Sequence, residues 1–196
     1  MIYVIDHEDS FTYNLVHLLD NFAPTYVSNY FNIDKKKLDS CKIIVFSPGP
    51  GDPTHYSETQ KIYHQYKGLK KIVGICLGFQ QILYAEKGQI IPQKKIYHGY
   101  QSRIKVLKES SLFEPNKILL GGRYHSLKLK EPFSHQNLKI TMRCVETNVA
   151  MAIEDTINNV YGFQFHPDSF LTVDGKFLIQ KILQACLLYT SDAADE

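Results

Sequence analysis

Lys71-Ile72-Val73-Gly74-Ile75-Cys76-Leu77-Gly78 is the stretch on which the reading of this chain turns. Residues 71–73 are apolar and β-branched enough for a short buried strand. Residues 77–87 set Leu77, Ile82, Leu83 and Ala85 among Gln and Lys, with Gly88 as a stop, the pattern of a helix. Cys76 therefore falls at a strand-to-helix turn, with glycine two positions before and two after. The turn is tight, and a Cβ on either flank would crowd it. The helix that begins at Leu77 aims free N–H groups and its positive dipole end at the thiol, which favours thiolate and a nearby anion. This is a nucleophile elbow with sulfur in place of oxygen. The alternative is a buried structural cysteine.

The 196 residues suffice for one domain with a full core. Hydrophobic residues make up 44% and charged residues 21%, as in ordinary globular proteins. A net charge of +2 is too balanced to favour nucleic acid or an anionic membrane as partner. Cys41, Cys76, Cys144 and Cys186 lie far apart with no C-x-x-C, which disfavours a zinc site or a disulfide framework and fits a reducing cytoplasm. Met1-Ile2-Tyr3-Val4-Ile5 lacks a basic segment and reaches Asp6 at once, so no signal peptide is expected. No apolar run is long enough to span a bilayer.

The first half alternates strands and helices. Residues 2–5 read as a buried strand. Ser10 can cap a helix over 11–21 that places Phe11, Leu15, Leu18, Leu19 and Phe22 on one face. Pro24 breaks it, and Tyr26-Val27 belongs to a second strand. Lys35-Lys36-Lys37 reads as a solvated face. Residues 43–46 form a third strand that runs into Ser47-Pro48-Gly49-Pro50-Gly51-Asp52-Pro53, too rich in Gly and Pro for helix or sheet. A helix over 57–66 and the Cys76 unit follow. This alternation implies a parallel sheet with right-handed crossovers, whose function gathers at the carboxyl ends of its strands. Both the Gly49–Gly51 loop and Cys76 follow strand ends, so the two can meet. In the second half, residues 90–107, 117–129, 138–145, 149–154 and 160–165 read as strands and 175–183 as a helix. These predict an antiparallel extension of the sheet with the last helix packed back on it.

A cysteine nucleophile needs a base, a group that orients the base, and donors for an oxyanion. Eight histidines compete for the base. His166 is best placed: it follows the apolar run 160–165, Pro167 fixes the turn after it, and Asp168 can accept from one imidazole nitrogen while the other faces the thiol. The alternative is a His-Pro turn with a surface Asp. His125, in Arg123-Tyr124-His125-Ser126, has no carboxylate close after it and ranks second. The backbone N–H of Leu77 is the expected oxyanion donor. The Gly49–Gly51 loop can supply another, since backbone without side chains approaches a substrate closely. As a phosphate cradle that loop fails, because it has neither the Gly-Lys-Ser/Thr ending nor G-x-G-x-x-G.

Four segments coincide in order and spacing: Asp6-His7-Glu8-Asp9-Ser10-Phe11-Thr12-Tyr13-Asn14-Leu15, Ser47-Pro48-Gly49-Pro50-Gly51, Gly74-Ile75-Cys76-Leu77-Gly78-Phe79-Gln80 and Gln164-Phe165-His166-Pro167-Asp168-Ser169. Together they resemble class I glutamine amidotransferases. The opening segment and Arg123-Tyr124-His125-Ser126-Leu127 resemble the subgroup that serves chorismate, namely anthranilate synthase component II and the aminodeoxychorismate synthase glutaminase. The resemblance runs from residue 1 to about 184. It implies an α/β fold with a mostly parallel central sheet, flanking helices and an antiparallel extension, the flavodoxin-like fold of class I glutaminases. It implies hydrolysis of L-glutamine through a γ-glutamyl thioester on Cys76, with His166 as base and then acid and Asp168 orienting it. Gly49 and Leu77 would donate to the oxyanion, and Gly49, Gly51, Gln80, Ser126 and Leu127 would hold the substrate. No cofactor or metal is implied. Ammonia would pass to a separate chorismate-binding synthase subunit in a hetero-oligomer.

Three departures from the family pattern stand out. Gly78-Phe79-Gln80 replaces the usual Gly-His-Gln, where altered packing rather than lost chemistry is expected. His166-Pro167-Asp168 replaces His-Pro-Glu; the side chain is one methylene shorter, so reduced turnover is expected, with the carboxylate approaching by a backbone shift or a bridging water. His98-Gly99-Tyr100 has Tyr where Lys is usual. Residues 1–185 read as the amidotransferase domain. Residues 186–196, Cys186-Leu187-Leu188-Tyr189-Thr190-Ser191-Asp192-Ala193-Ala194-Asp195-Glu196, resemble the in-frame translation of a transposon-type sequencing-library adapter, which predicts a read-through tail; the alternative is a frayed helix end with an acidic tail. Two other readings compete with the chorismate-serving one: an impaired lobe kept as a binding or regulatory module, and the glutaminase of a carbamoyl-phosphate or GMP synthase.

Overall fold

The computed structural model describes residues 1–185; the tail expectation for 186–196 lies outside them. The strands β1 (Ile2–Asp6), β2 (Thr25–Asn29), β3 (Ile43–Phe46), β4 (Lys71–Ile75), β5 (Ile90–Pro92), β6 (Tyr100–Val106), β7 (Ile118–Arg123), β8 (Leu127–Leu129), β9 (Lys139–Cys144), β10 (Ala150–Asp155) and β11 (Val160–Phe163) alternate in part with the helices α1 (Thr12–Asp20), α2 (Lys35–Ser40), α3 (Ser57–Tyr66), α4 (Leu77–Ala85) and α5 (Gly175–Gln184). Nine strands form one sheet in the order β2-β1-β3-β4-β11-β10-β9-β6-β7, while β5 and β8 pair separately. From β2 to β11 neighbours run parallel, and from β11 to β7 antiparallel. The expected mostly parallel sheet with an antiparallel extension is what forms.

The period-two pattern of the strands splits the core in two. Ile2, Val4, Val45, Val73 and Ile75 join Leu15 and Leu19 of α1 and Leu178, Ile179 and Ile182 of α5 on one face. Tyr3, Ile5, Ile44, Phe46 and Ile72 join Leu38 of α2, Ile62 and Tyr63 of α3 and Phe79, Ile82 and Leu83 of α4 on the other. Helices thus cover both faces of the parallel part.

Several boundaries differ from those read in the sequence. Ser10 does not cap α1, which starts at Thr12 with Phe11 as its cap residue. Asp6 and Asp9 organise that entry instead, accepting from Thr12 Oγ1 at 2.8 Å and from the Phe11 N–H at 2.8 Å. Helix α4 stops at Ala85 because Lys87 turns to φ 66° and the Gly88 N–H closes on Leu83 O at 2.7 Å. The spans 90–107 and 117–129 each break into two strands, so that β5 and β8 leave the main sheet and pair with each other. The Lys35-Lys36-Lys37 face is exposed as expected, yet it forms the first turn of α2, capped by Asp34 accepting from the Lys37 N–H.

Candidate active site

The elbow holds the backbone strain its sequence implies. Cys76 sits at φ 54°, ψ −100°, a conformation that L-residues avoid unless the surroundings enforce it. Its N–H donates to Phe163 O at 2.8 Å, carrying the β4–β11 pairing one step past the strands. The flanking glycines are needed for contact. A Cβ on Gly74 would strike the backbone of Gly78, and a Cβ on Gly78 would strike the Phe46 carbonyl. In the next strand Gly162 pairs with Gly74 and lies under the Phe79 ring. These small residues let α4 settle close against the sheet. Leu77 through Leu83 are all buried, so α4 is a core helix. Phe79 is fully buried.

The topology then explains why a thiol and an imidazole ninety positions apart share one edge. Because β4 and β11 are adjacent and parallel, with Ile75 opposite Phe163, Cys76 and the segment that carries His166 leave the sheet on the same side. The His166 backbone is clasped to the end of β7. Its N–H donates to Gly122 O at 2.9 Å, its carbonyl accepts from Thr172 Oγ1 at 2.5 Å, and that hydroxyl in turn accepts from the Gly122 N–H at 2.9 Å. The ring is enclosed by Phe11, with centroids 5.4 Å apart, and Tyr124 at 5.0 Å. Burial alone would push the imidazolium down; the neighbouring Cys76 sulfur and the Asp168 carboxylate outweigh it and raise the His166 pKa above its ordinary value.

Asp168 lies beside the imidazole. Its Oδ1 lies 3.7 Å from His166 Nδ1, an ion-pair distance but not a hydrogen bond. Both carboxylate oxygens and both ring nitrogens are buried without a hydrogen-bond partner among the described residues.

The Gly49–Gly51 loop does reach the elbow. A Cβ on Gly49 would come within 2.5 Å of the Leu77 side chain and 2.6 Å of His7 Cβ, while Gly51 holds φ 77°. Gln80 is buried, and its Nε2 donates to Gln164 Oε1 at 3.0 Å and more distantly to Leu127 O at 3.5 Å. Ser126 is exposed beside Leu127. Cys76, His166, Asp168, Gly49, Leu77, Gln80 and Leu127 are thus tied together through these contacts. For Gly51 and Ser126 the link is their place in the same two loops.

Two rival histidines are occupied elsewhere. His125 accepts from Arg123 Nε at 3.0 Å through Nε2 and donates to Leu127 O at 2.8 Å through Nδ1. Burial lowers its pKa to about 3, so it is a neutral structural ring. His7 is spent on the Ser47 and Thr59 hydroxyls, and burial lowers it to about 3 as well. The sequence reading missed Gln164, whose Nε2 faces Cys76 Sγ at 3.8 Å. It also missed that Arg123 is wholly buried, stacked 3.5 Å from the centre of the Tyr97 ring. A lone amide between Phe163 and Phe165 was the available signal for Gln164, since such a position would otherwise be apolar.

Fold and site together define a three-layer α/β protein with a thiol and an imidazole at the carboxyl edge of its parallel strands. Residues 3–186 match the family described as glutamine amidotransferase class-I, and the chain belongs to that family. Anthranilate synthase component 2 of Lactococcus lactis subsp. lactis is 34% identical over 186 residues, covering 93% of each chain. The protein of the same name from Porphyra purpurea is 35% identical, covering 94% of this chain and all of that one. A solved glutamine amidotransferase from Thermotoga maritima shares the fold at a TM-score of 0.72, covering 93% of this chain and 96% of that one at 12% identity. No helix among the described residues is long and apolar enough to cross a membrane.

Proposed function

We propose that this chain is the glutaminase component of a chorismate-aminating synthase, working as one catalytic domain over residues 1–185. His166 takes the Cys76 proton and the sulfur attacks the γ-carboxamide carbon of L-glutamine. The N–H groups of Leu77 and Gly49 receive the oxyanion. Collapse breaks the C–N bond, His166 returns the proton to the departing nitrogen, and ammonia leaves a γ-glutamyl thioester on Cys76. Water, deprotonated by His166, then releases glutamate. Asp168 orients the imidazole and balances its charge, while Gly51, Gln80, Ser126 and Leu127 hold the backbone and amide of the glutamine. Ammonia is handed to a chorismate-binding synthase subunit, and docking of that subunit gates the reaction.

The observation that carries this reading is the strained Cys76 elbow at the end of β4, beside the strand β11 that leads into the buried His166. The names of the Lactococcus and Porphyra relatives support the synthase as partner. The test is glutamine hydrolysis by the full chain, alone and with anthranilate- and aminodeoxychorismate-type synthase subunits, with Cys76→Ala as control. Partner-stimulated hydrolysis that vanishes in Cys76→Ala is expected. Hydrolysis that survives it overturns the mechanism, and indifference to every chorismate-binding partner overturns the assignment of partner.

One observation favours a second reading, a catalytically impaired lobe that binds or regulates: the 3.7 Å gap between Asp168 and His166. It would be supported by thiol-independent partner binding without turnover.

A further inference from the structure

Gln164 is fully buried between two phenylalanines, and its N–H is anchored on Met151 O at 2.9 Å. A buried amide is costly unless both of its ends are engaged. Its Oε1 accepts from Gln80 Nε2 at 3.0 Å, which leaves Nε2 turned to Cys76 Sγ at 3.8 Å. The opposite orientation would set two NH2 groups against each other and a carbonyl oxygen against the sulfur lone pairs, so the network fixes the direction. Gln80 is itself directed by Leu127 O at 3.5 Å. Donors therefore run in one sense, from Gln80 through Gln164 to the sulfur.

We propose that Gln164 is a further catalytic residue, donating its side-chain N–H to the Cys76 sulfur and holding it as thiolate, with Gln80 locking the amide in that orientation. The S–H bond breaks and an N–H bond forms on His166 while the electron pair stays on sulfur; Gln164 transfers no proton. A donor favours the anionic sulfur over the thiol and over the acylated sulfur, because only the anion offers a full negative charge. Its meaning for catalysis rests on the glutaminase reading, but the thiol can be read without glutamine, so the two can fail separately.

The test is the pH dependence of Cys76 alkylation by iodoacetamide in the full chain, followed by peptide mass analysis, for wild type, Gln164→Met and Gln164→Glu. Methionine keeps the length and removes the donor, and glutamate sets a like charge beside the sulfur. The midpoint should rise in Gln164→Met and rise further in Gln164→Glu. Below both midpoints the alkylation rate should fall about tenfold for each pH unit of displacement. Variants that melt like wild type and keep its midpoint would overturn the proposal. If neither variant folds, the native chain with 15N-labelled glutamine side chains decides. One side-chain amide should titrate with the thiol and stop doing so in Cys76→Ser, whereas no glutamine amide following the thiol midpoint would overturn it.

Discussion

The Asp168 carboxylate stops 3.7 Å short of His166 Nδ1, with neither of its oxygens hydrogen-bonded among the described residues. At that distance the carboxylate still attracts the imidazolium but orients the ring less tightly than a hydrogen bond would. The clasp to Gly122 also fixes the His166 main chain, and the Phe11 and Tyr124 rings pack against the imidazole.

Asp168→Glu is therefore expected to raise kcat for glutamine hydrolysis by roughly three- to tenfold, because the added methylene closes the gap to hydrogen-bond length. A cavity lined by Asn14, His17, Leu18, Asn21, Pro167 and Asp168 gives the loop room to adjust. Steady-state kinetics check this, and a variant no faster than wild type would show that the gap is not limiting.

Cys76→Gly and Cys76→Ala both remove the sulfur and should both abolish turnover, but they should differ in stability. Glycine accepts φ 54°, ψ −100° with little strain, whereas alanine keeps the Cβ penalty. Urea unfolding should find Cys76→Gly more stable than Cys76→Ala by about 1–2 kcal/mol. Equal midpoints would mean that the elbow is not strained.

Phe79→His restores the residue usual in the family at a position that is fully buried here. It should cost about 2–3 kcal/mol of stability and leave kcat per folded molecule unchanged. A gain in kcat would give the departure a catalytic meaning it lacks in this account.

His7 and His125 both have folded pKa values lowered by burial to about 3, against an ordinary value of 6.5. Above 6.5 they are neutral in both states and carry no penalty. As pH falls from 6.5 towards 3 the unfolded chain binds protons that the fold refuses, so stability is lost across that window. Each contributes a slope of about 1.4 kcal/mol per pH unit. His7→Gln should flatten the acid limb of a urea-denaturation series by about that amount; an unchanged limb would assign the acid sensitivity to other groups.

Much of this was legible in the sequence because two signals were local. The glycine spacing around Cys76 reports a backbone that must pass close to Phe46 and to the neighbouring strand, and the alternation of short apolar runs with helical patterns reports a parallel sheet. What was hidden depended on distant partners. Helix α2 buries a single side chain, Leu38, so it leaves no periodicity to read. The split of 90–107 and 117–129 follows from the pairing of Ile90 with Leu129, which strand patterns alone do not encode. His7 and His125 looked like candidate bases until their hydroxyl, guanidinium and carbonyl partners were placed. The side chain of Gln164 gains its meaning only because β4 and β11 are neighbours.

The most direct test of the central claim is trapping the acyl-enzyme: the full chain mixed with L-glutamine and its synthase partner, quenched in acid and examined by intact and peptide mass spectrometry. A γ-glutamyl adduct confined to the peptide that contains Cys76, and absent from Cys76→Ala, is expected. Glutamate release with no such adduct, or an adduct on any other residue, would contradict it.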